Sequence, residues 1–124
     1  MISVLRTSFP FFSYLTALVV LSVIPFNTKG ELNEITVLNF RGDYVIHTLM
    51  FLPFLPLAYF WKYSGSATGF LVAWIPLALF SAILIEGLQY YIPYRAFNLK
   101  DALANGAGVL SGGIILLISK KLSK

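Results

Sequence analysis

Four apolar stretches, each long enough to cross a bilayer as a helix, take up most of this 124-residue chain. They run approximately over residues 9–26, 44–61, 70–92 and 102–119. Hydrocarbon about 30 Å thick needs roughly 20 apolar helical residues. Lipid also offers no hydrogen bonds, so a spanning segment must pair its own backbone, which a helix does. The expected fold is all-α: one polytopic domain over residues 1–124, built as a bundle of four transmembrane helices.

Charge is scarce enough to rule out the soluble alternative. Only 11% of residues are charged, against about 25% in soluble domains. A water-soluble fold of this length would leave too much apolar surface exposed. The net charge of +4 sits in the connections and tails. No Lys/Arg run interleaved with aromatics suggests a nucleic-acid groove, so no nucleic-acid partner is expected. The absence of cysteine excludes disulfides, thiolate metal sites and a Cys nucleophile.

The connections carry the remaining signals. A polar stretch runs from Asn27 to Asp43, and Glu31–Phe40 within it reads as either a plain loop or a piece lying on the membrane surface. Lys62–Thr68 and Pro93–Asp101 are short. Tyr and Trp rings favour membrane interfaces, which sets Trp61 and Tyr63 at one level and Tyr44, Tyr90, Tyr91 and Tyr94 at the other. Arg6 before an apolar run resembles a signal peptide, but no A-x-A-like site follows, and the first stretch is expected to remain as a span. Pro53, Pro56 and Pro76 should kink the middle helices and shape their packing. Arg6, Lys62, Lys120, Lys121 and Lys124 fall on one side, and Lys29, Arg41, Arg95 and Lys100 on the other. That bias puts both termini in the cytoplasm.

Polar residues cluster at the opposite face. Asp43 and His47 are four apart at the start of the second helix, and Glu86 and Gln89 three apart near the end of the third. Asp101 and Asn105 are four apart at the start of the fourth, and Arg95 lies in the loop between the last two. Such spacings share a helix face. At 1.5 Å per residue, Glu86 lies about 9 Å below Ile92. An exposed carboxylate there costs on the order of 1 to 3 kcal/mol, so Glu86 should face the bundle, with Arg95 as its expected charge partner. Each residue also has a structural reading: Asp43 and Asp101 suit helix N-termini, His47 can be a packing residue, and Gln89 can sit idly at an interface. Three same-face pairs at one level argue for a common role. In the fourth helix, Ala104, Gly108 and Gly112 form a small-residue stripe for close packing within the chain or between two copies.

These residues resemble the VanZ-like family of small bacterial membrane proteins. The match rests on Asp43-Tyr-Val-Ile-His47, Glu86-Gly-Leu-Gln89, Pro93-Tyr-Arg95 and Asp101-Ala-Leu-Ala-Asn105-Gly-Ala-Gly108, in that order. Two positions depart from the pattern: Tyr44 stands where the family often has Lys, and Asn98 where an acidic residue often follows the Arg. The resemblance implies a bacterial inner membrane, an envelope-facing role and a link to glycopeptide resistance, without fixing a reaction.

Two readings of function follow. In the first, Asp43, His47, Glu86, Gln89, Arg95, Asp101 and Asn105 line an outward pocket for a membrane lipid or a lipid-linked cell-wall intermediate. Arg95 would meet a phosphate or carboxylate there. In the second, His47 and Glu86 are catalytic, as a base and its orienting carboxylate. The cluster contains no Ser or Thr nucleophile, so a hydrolysis would need activated water. One His makes a metal site weak, and neither metal nor cofactor is expected. A third role, packing against a larger membrane protein or a second copy, needs no ligand at all.

Overall fold

The computed structural model describes residues 2–24, 31–62 and 65–123, without the side chains of residues 2–7 and 62. Pro25, Phe26, the start of the Asn27–Asp43 connection and Tyr63 lie outside the described residues.

Among the described residues six helices follow one another: α1 (Ile2–Val23), α2 (Glu31–Glu34), α3 (Gly42–Phe51), α4 (Phe54–Lys62), α5 (Ala67–Gln89) and α6 (Leu99–Leu122). A two-stranded antiparallel hairpin, β1 (Thr36–Val37) and β2 (Phe40–Arg41), separates α2 from α3. The protein is all-α and membrane-like. Among the described residues three stretches are long and apolar enough to cross a bilayer, namely Gly42–Trp61, Ala67–Gln89 and Leu99–Leu122, with a shorter apolar helix at Ser8–Val23.

The helix ends differ from the apolar stretches because capping residues, not hydropathy, set them. Ser66 caps α5, its hydroxyl accepting from Gly69 N–H at 3.1 Å. Asn98 caps α6, its side chain accepting from Lys100 N–H at 3.1 Å. Each helix therefore starts three residues before the sequence-based bound, in the manner of polar N-caps. At its other end α5 stops at Gln89, three residues early, where the chain tightens into bonds such as Tyr90 N–H to Gly87 O.

The second span is two helices rather than one kinked helix. Pro53 and Pro56 lack N–H groups, so the carbonyls four residues before them lose their helical donors. Leu52 and Pro53 form the turn between α3 and α4. Nearby carbonyls find other neighbours: Tyr14 OH donates to Met50 O at 2.7 Å. Pro76, by contrast, lies within an unbroken α5.

Helix α6 is central and the most buried of the three spans, packing against α3, α4 and α5. Its buried face follows the helical repeat: Ala102, Asn105, Gly108, Val109, Gly112, Gly113 and Leu116. A Cβ at Gly108 would come within 2.2 Å of Thr48 O, and one at Gly112 within 2.2 Å of Leu52 O. The broken second span thus lays its backbone directly on α6, which side chains at these positions would forbid. Ala104, also buried, gives its carbonyl to Thr48 Oγ1 at 3.1 Å.

Toward the other end, α1 packs on α4 through rings. Phe11 stacks on Trp61 with centroids 5.0 Å apart, and Trp61 Nε1 donates to Ser8 Oγ at 3.2 Å. Lys120 lies 4.7 Å from the Tyr59 ring centroid. The polar residues singled out in the sequence gather at the opposite end, where α1 and α5 finish and α3 and α6 begin.

Candidate functional site

Asp43 enters the cluster already paired. Arg41, extended just before α3, offers no cap from its side chain. Its guanidinium instead reaches forward to Asp43, Nε to Oδ1 at 3.1 Å and Nη2 to Oδ2 at 2.6 Å. This fork matches the planar carboxylate, and these bonds raise the Arg41 pKa above its ordinary value. The guanidinium also lies 4.6 Å from the Tyr44 ring centroid. Asp43 is buried while Arg41 stays partly exposed, so the pair sits at the rim of the bundle.

One turn further into α3, His47 bridges to α6. Its Nδ1 lies 3.0 Å from Asn105 Oδ1, and its Nε2 lies 3.7 Å from Asp101 Oδ2. Asp101 and Asn105 share one face of α6, so a single imidazole spans both. Asn105 is fully buried.

Glu86, on α5, has no exposed surface. One carboxylate oxygen, Oε1, accepts from Asn98 N–H at 3.3 Å. The α5–α6 loop thereby folds over it. The expected Glu86–Arg95 ion pair does not form. Arg41 and Asp43 form an ion pair, and His47 Nε2 approaches Asp101 Oδ2 to 3.7 Å.

Arg95 turns to α1 instead. Gln89 Nε2 donates to Ser22 O at 2.8 Å, Tyr94 OH to Val23 O at 2.8 Å, and the Arg95 guanidinium to Ile24 O. These are three consecutive carbonyls at the C-terminal end of α1, groups that a helix cannot pair for itself. A cation there also meets the negative end of the helix dipole. The seven candidate residues therefore divide. Gln89 and Arg95 tie α1 to the α5–α6 loop, while Asp43, His47, Glu86, Asp101 and Asn105 form the inner cluster.

That inner cluster is incompletely paired. Among the described residues, Glu86 Oε2, Asp101 Oδ1 and Asn105 Nδ2 are buried without a hydrogen-bond partner in the protein. No three His, Asp or Glu side chains among the described residues converge as a metal site would need. Two apolar grooves lie beside α6. One, of about 410 Å³, is lined by residues including Leu79, Ile83, Ala102 and Gly106; the other, of about 300 Å³, by residues including Phe40, Tyr44, Thr48 and Ala107.

Two participants did not stand out in the sequence. Arg41 was legible only as an orientation charge, although an Arg two residues before an Asp at a helix start can reach it. Asn98 is a polar residue directly before a helical run, which is the ordinary sign of a cap.

Comparison with known proteins decides the family: the VanZ/LLP1 profile matches residues 2–120, nearly the whole chain. The chain belongs to the VanZ/LLP1 family. No curated protein and no solved structure gives a significant match. Within this VanZ/LLP1 chain the four quoted motifs occupy one end of the bundle, and all four contribute a side chain to the inner cluster or to the α1 cap. Membership establishes a membrane protein consistent with the cell envelope, and the chemistry of the cluster has to be argued from its atoms.

Proposed function

We propose that this VanZ/LLP1 protein resides in the bacterial inner membrane with both termini in the cytoplasm. Its inner cluster then faces outward and holds the polar head of a lipid-linked or cell-wall-related ligand. The observation that carries the reading is the set of three buried polar atoms without protein partners, Glu86 Oε2, Asp101 Oδ1 and Asn105 Nδ2. Buried polar groups are nearly always hydrogen-bonded, and exceptions in a native fold call for an occupant or a function. The flanking apolar grooves suit acyl or prenyl chains. An effect on glycopeptide sensitivity would follow from altered access to a surface precursor.

Catalysis is the weaker reading. A general base needs a nitrogen free to meet the substrate, and both nitrogens of His47 already face Asn105 and Asp101.

Lipid mass spectrometry of gently purified protein tests the proposal, wild type beside Asp101→Asn. A head group retained by wild type and lost by the variant supports it, whereas identical lipid profiles overturn it. Orientation has its own test. With Asn33→Cys and Ser66→Cys, an impermeant thiol reagent should label the first in intact cells and spare the second. The reverse pattern would turn the cluster toward the cytoplasm.

A further inference from the structure

Charge divides unevenly between the two ends of the bundle. All five acidic residues, Glu31, Glu34, Asp43, Glu86 and Asp101, belong to the end where α3 and α6 begin and α2 packs on α3. The opposite end has Arg6 early in α1, Lys62 at the close of α4, and Lys120 and Lys121 in the last turn of α6. Asp101 and Lys120 stand about 28 Å apart along α6 at 1.5 Å per residue. That is too far for pairing and well beyond the Debye length of about 8 Å at physiological salt. The two lysines of α6 therefore have no carboxylate side chain of this chain to balance them.

Both lysines border a cavity. It measures about 320 Å³ and lies between the start of α5 and the end of α6, lined by residues including Tyr59, Ser66, Thr68, Leu117, Lys120 and Lys121. Lys120 is held against rings, its ammonium 4.7 Å from the Tyr59 centroid and 5.3 Å from that of Phe60. The Tyr59 hydroxyl in turn donates to Gly65 O at 3.0 Å, which fixes the chain just before α5. Ser66 Oγ accepts from Gly69 N–H, and its own proton is left to donate. Two ammoniums and the hydroxyls of Ser66 and Thr68 thus supply donors and positive charge to one enclosure. An anion rich in acceptor oxygens complements it, and a phosphate spreads such oxygens in three dimensions. Leu117 on the wall and the exposed Phe60 beside Lys120 give the carrier an apolar flank, as an acyl chain needs.

We infer that this cavity seats the phosphate of an anionic phospholipid. Lys120 and Lys121 are its counter-charges, and Ser66 and Thr68 its hydrogen-bond donors. A zwitterionic head brings a cation of its own that the lysines repel, so phosphatidylglycerol should be preferred to phosphatidylcholine. The site lies at the opposite end from the polar cluster, and it stands or falls independently of the ligand proposed there.

The test uses the full chain in bilayer discs made of equal parts of phosphatidylglycerol and phosphatidylcholine. Lipids retained after gentle extraction are identified by native mass spectrometry. Wild type should retain phosphatidylglycerol over phosphatidylcholine by about tenfold or more, given the attraction of each lysine for an anionic lipid. Lys120→Gln and Lys121→Gln should each reduce that ratio by about fivefold, and the double variant should bring it near parity. Thr68→Val keeps every charge and removes one donor, so it should reduce the ratio by about twofold or more. Loss in the lysine variants with no change in Thr68→Val would mean diffuse attraction to the membrane surface and would overturn the seated head group. An enrichment that survives the double lysine variant overturns this location. Inorganic phosphate, added to detergent-solubilised wild type, separates the sources. A melting temperature raised by it, and not by sodium chloride at the same ionic strength, keeps the phosphate site but without lipid enrichment assigns it to a soluble phosphate. Equal retention of the two lipids by wild type, with no phosphate response, overturns the site whether or not the variants fold.

Discussion

Gln89, Tyr94 and Arg95 lie within a few residues of Glu86 and Asp101 in the chain and at the same end of the bundle, yet the two groups meet different fates. The first group donates to Ser22, Val23 and Ile24 carbonyls in succession and closes the end of α1. The second leaves Glu86 Oε2, Asp101 Oδ1 and Asn105 Nδ2 buried without a protein partner. Polar residues at a membrane end thus serve two purposes, and hydrogen-bond geometry separates them. Donors aimed at orphaned helix carbonyls hold the fold together. Two acceptors and one amide donor left without such a partner contribute no tie of that kind.

Several substitutions can break or sharpen that contrast. The largest effect should come from the contact that supports both groups, the approach of α6 to the broken second span. Gly108→Leu and Gly112→Leu each drive a side chain into a carbonyl 2.2 Å from the required Cβ position. Overpacking commonly costs about 1–3 kcal/mol and occasionally more. Here the obstacle is backbone, so the upper end or beyond is expected, read as lost monodispersity or a collapsed melting temperature in detergent. Melting at the wild-type temperature would mean that α3, α4 and α6 separate without consequence.

The cap comes next. Arg95→Gln should lower stability by about 1–3 kcal/mol, because it removes a charged donor from a helix C-terminus. It should leave head-group retention unchanged in the protein that remains folded. If Arg95→Gln abolishes retention at unchanged melting temperature, the division between cap and cluster is wrong. Tyr14→Phe, which deletes the hydroxyl donor to Met50 O beside the α3–α4 turn, should cost about 1 kcal/mol by the same melt.

Glu86→Gln should have the smallest effect on stability and the largest on ligand retention. It replaces an enclosed carboxylate with a neutral isostere that can still accept from Asn98 N–H. Removing an unpaired buried charge is often neutral or stabilising. A drop comparable to that of Arg95→Gln would make Glu86 a structural residue. With no ion pair joining them, the Glu86→Gln/Arg95→Gln double variant should approach the sum of the single effects. A strong compensation would restore the charge pair that the sequence suggests.

The length of the apolar stretches and the scarcity of charge made the all-α membrane class legible, because lipid admits few other solutions to backbone pairing. The motif order pointed to the family from Asp43-Tyr-Val-Ile-His47 through to Asp101-Ala-Leu-Ala-Asn105. Pro53 and Pro56 announced a disturbance in the second span. They could not say that the chain would break into α3 and α4, since that depends on whether neighbours accept the freed carbonyls. The ends of α5 and α6 were misplaced by hydropathy because Ser66 and Asn98 act through geometry, not apolarity.

Partner choice was decided only by tertiary structure. Helical spacing places Asp43 with His47 and Asp101 with Asn105 on common faces, and it does so without knowledge of the fold. It cannot tell that Arg95 turns toward the end of α1, because Ser22 and Ile24 are roughly 70 residues away in the chain. Nor can it tell that Arg41 takes both oxygens of Asp43 while Glu86 receives a lone backbone N–H. Sequence fixes which polar groups must leave water, through the cost of placing them in an apolar span. Which of them are matched depends on where distant helices end, and that is settled by packing on the Gly108–Gly112 face of α6.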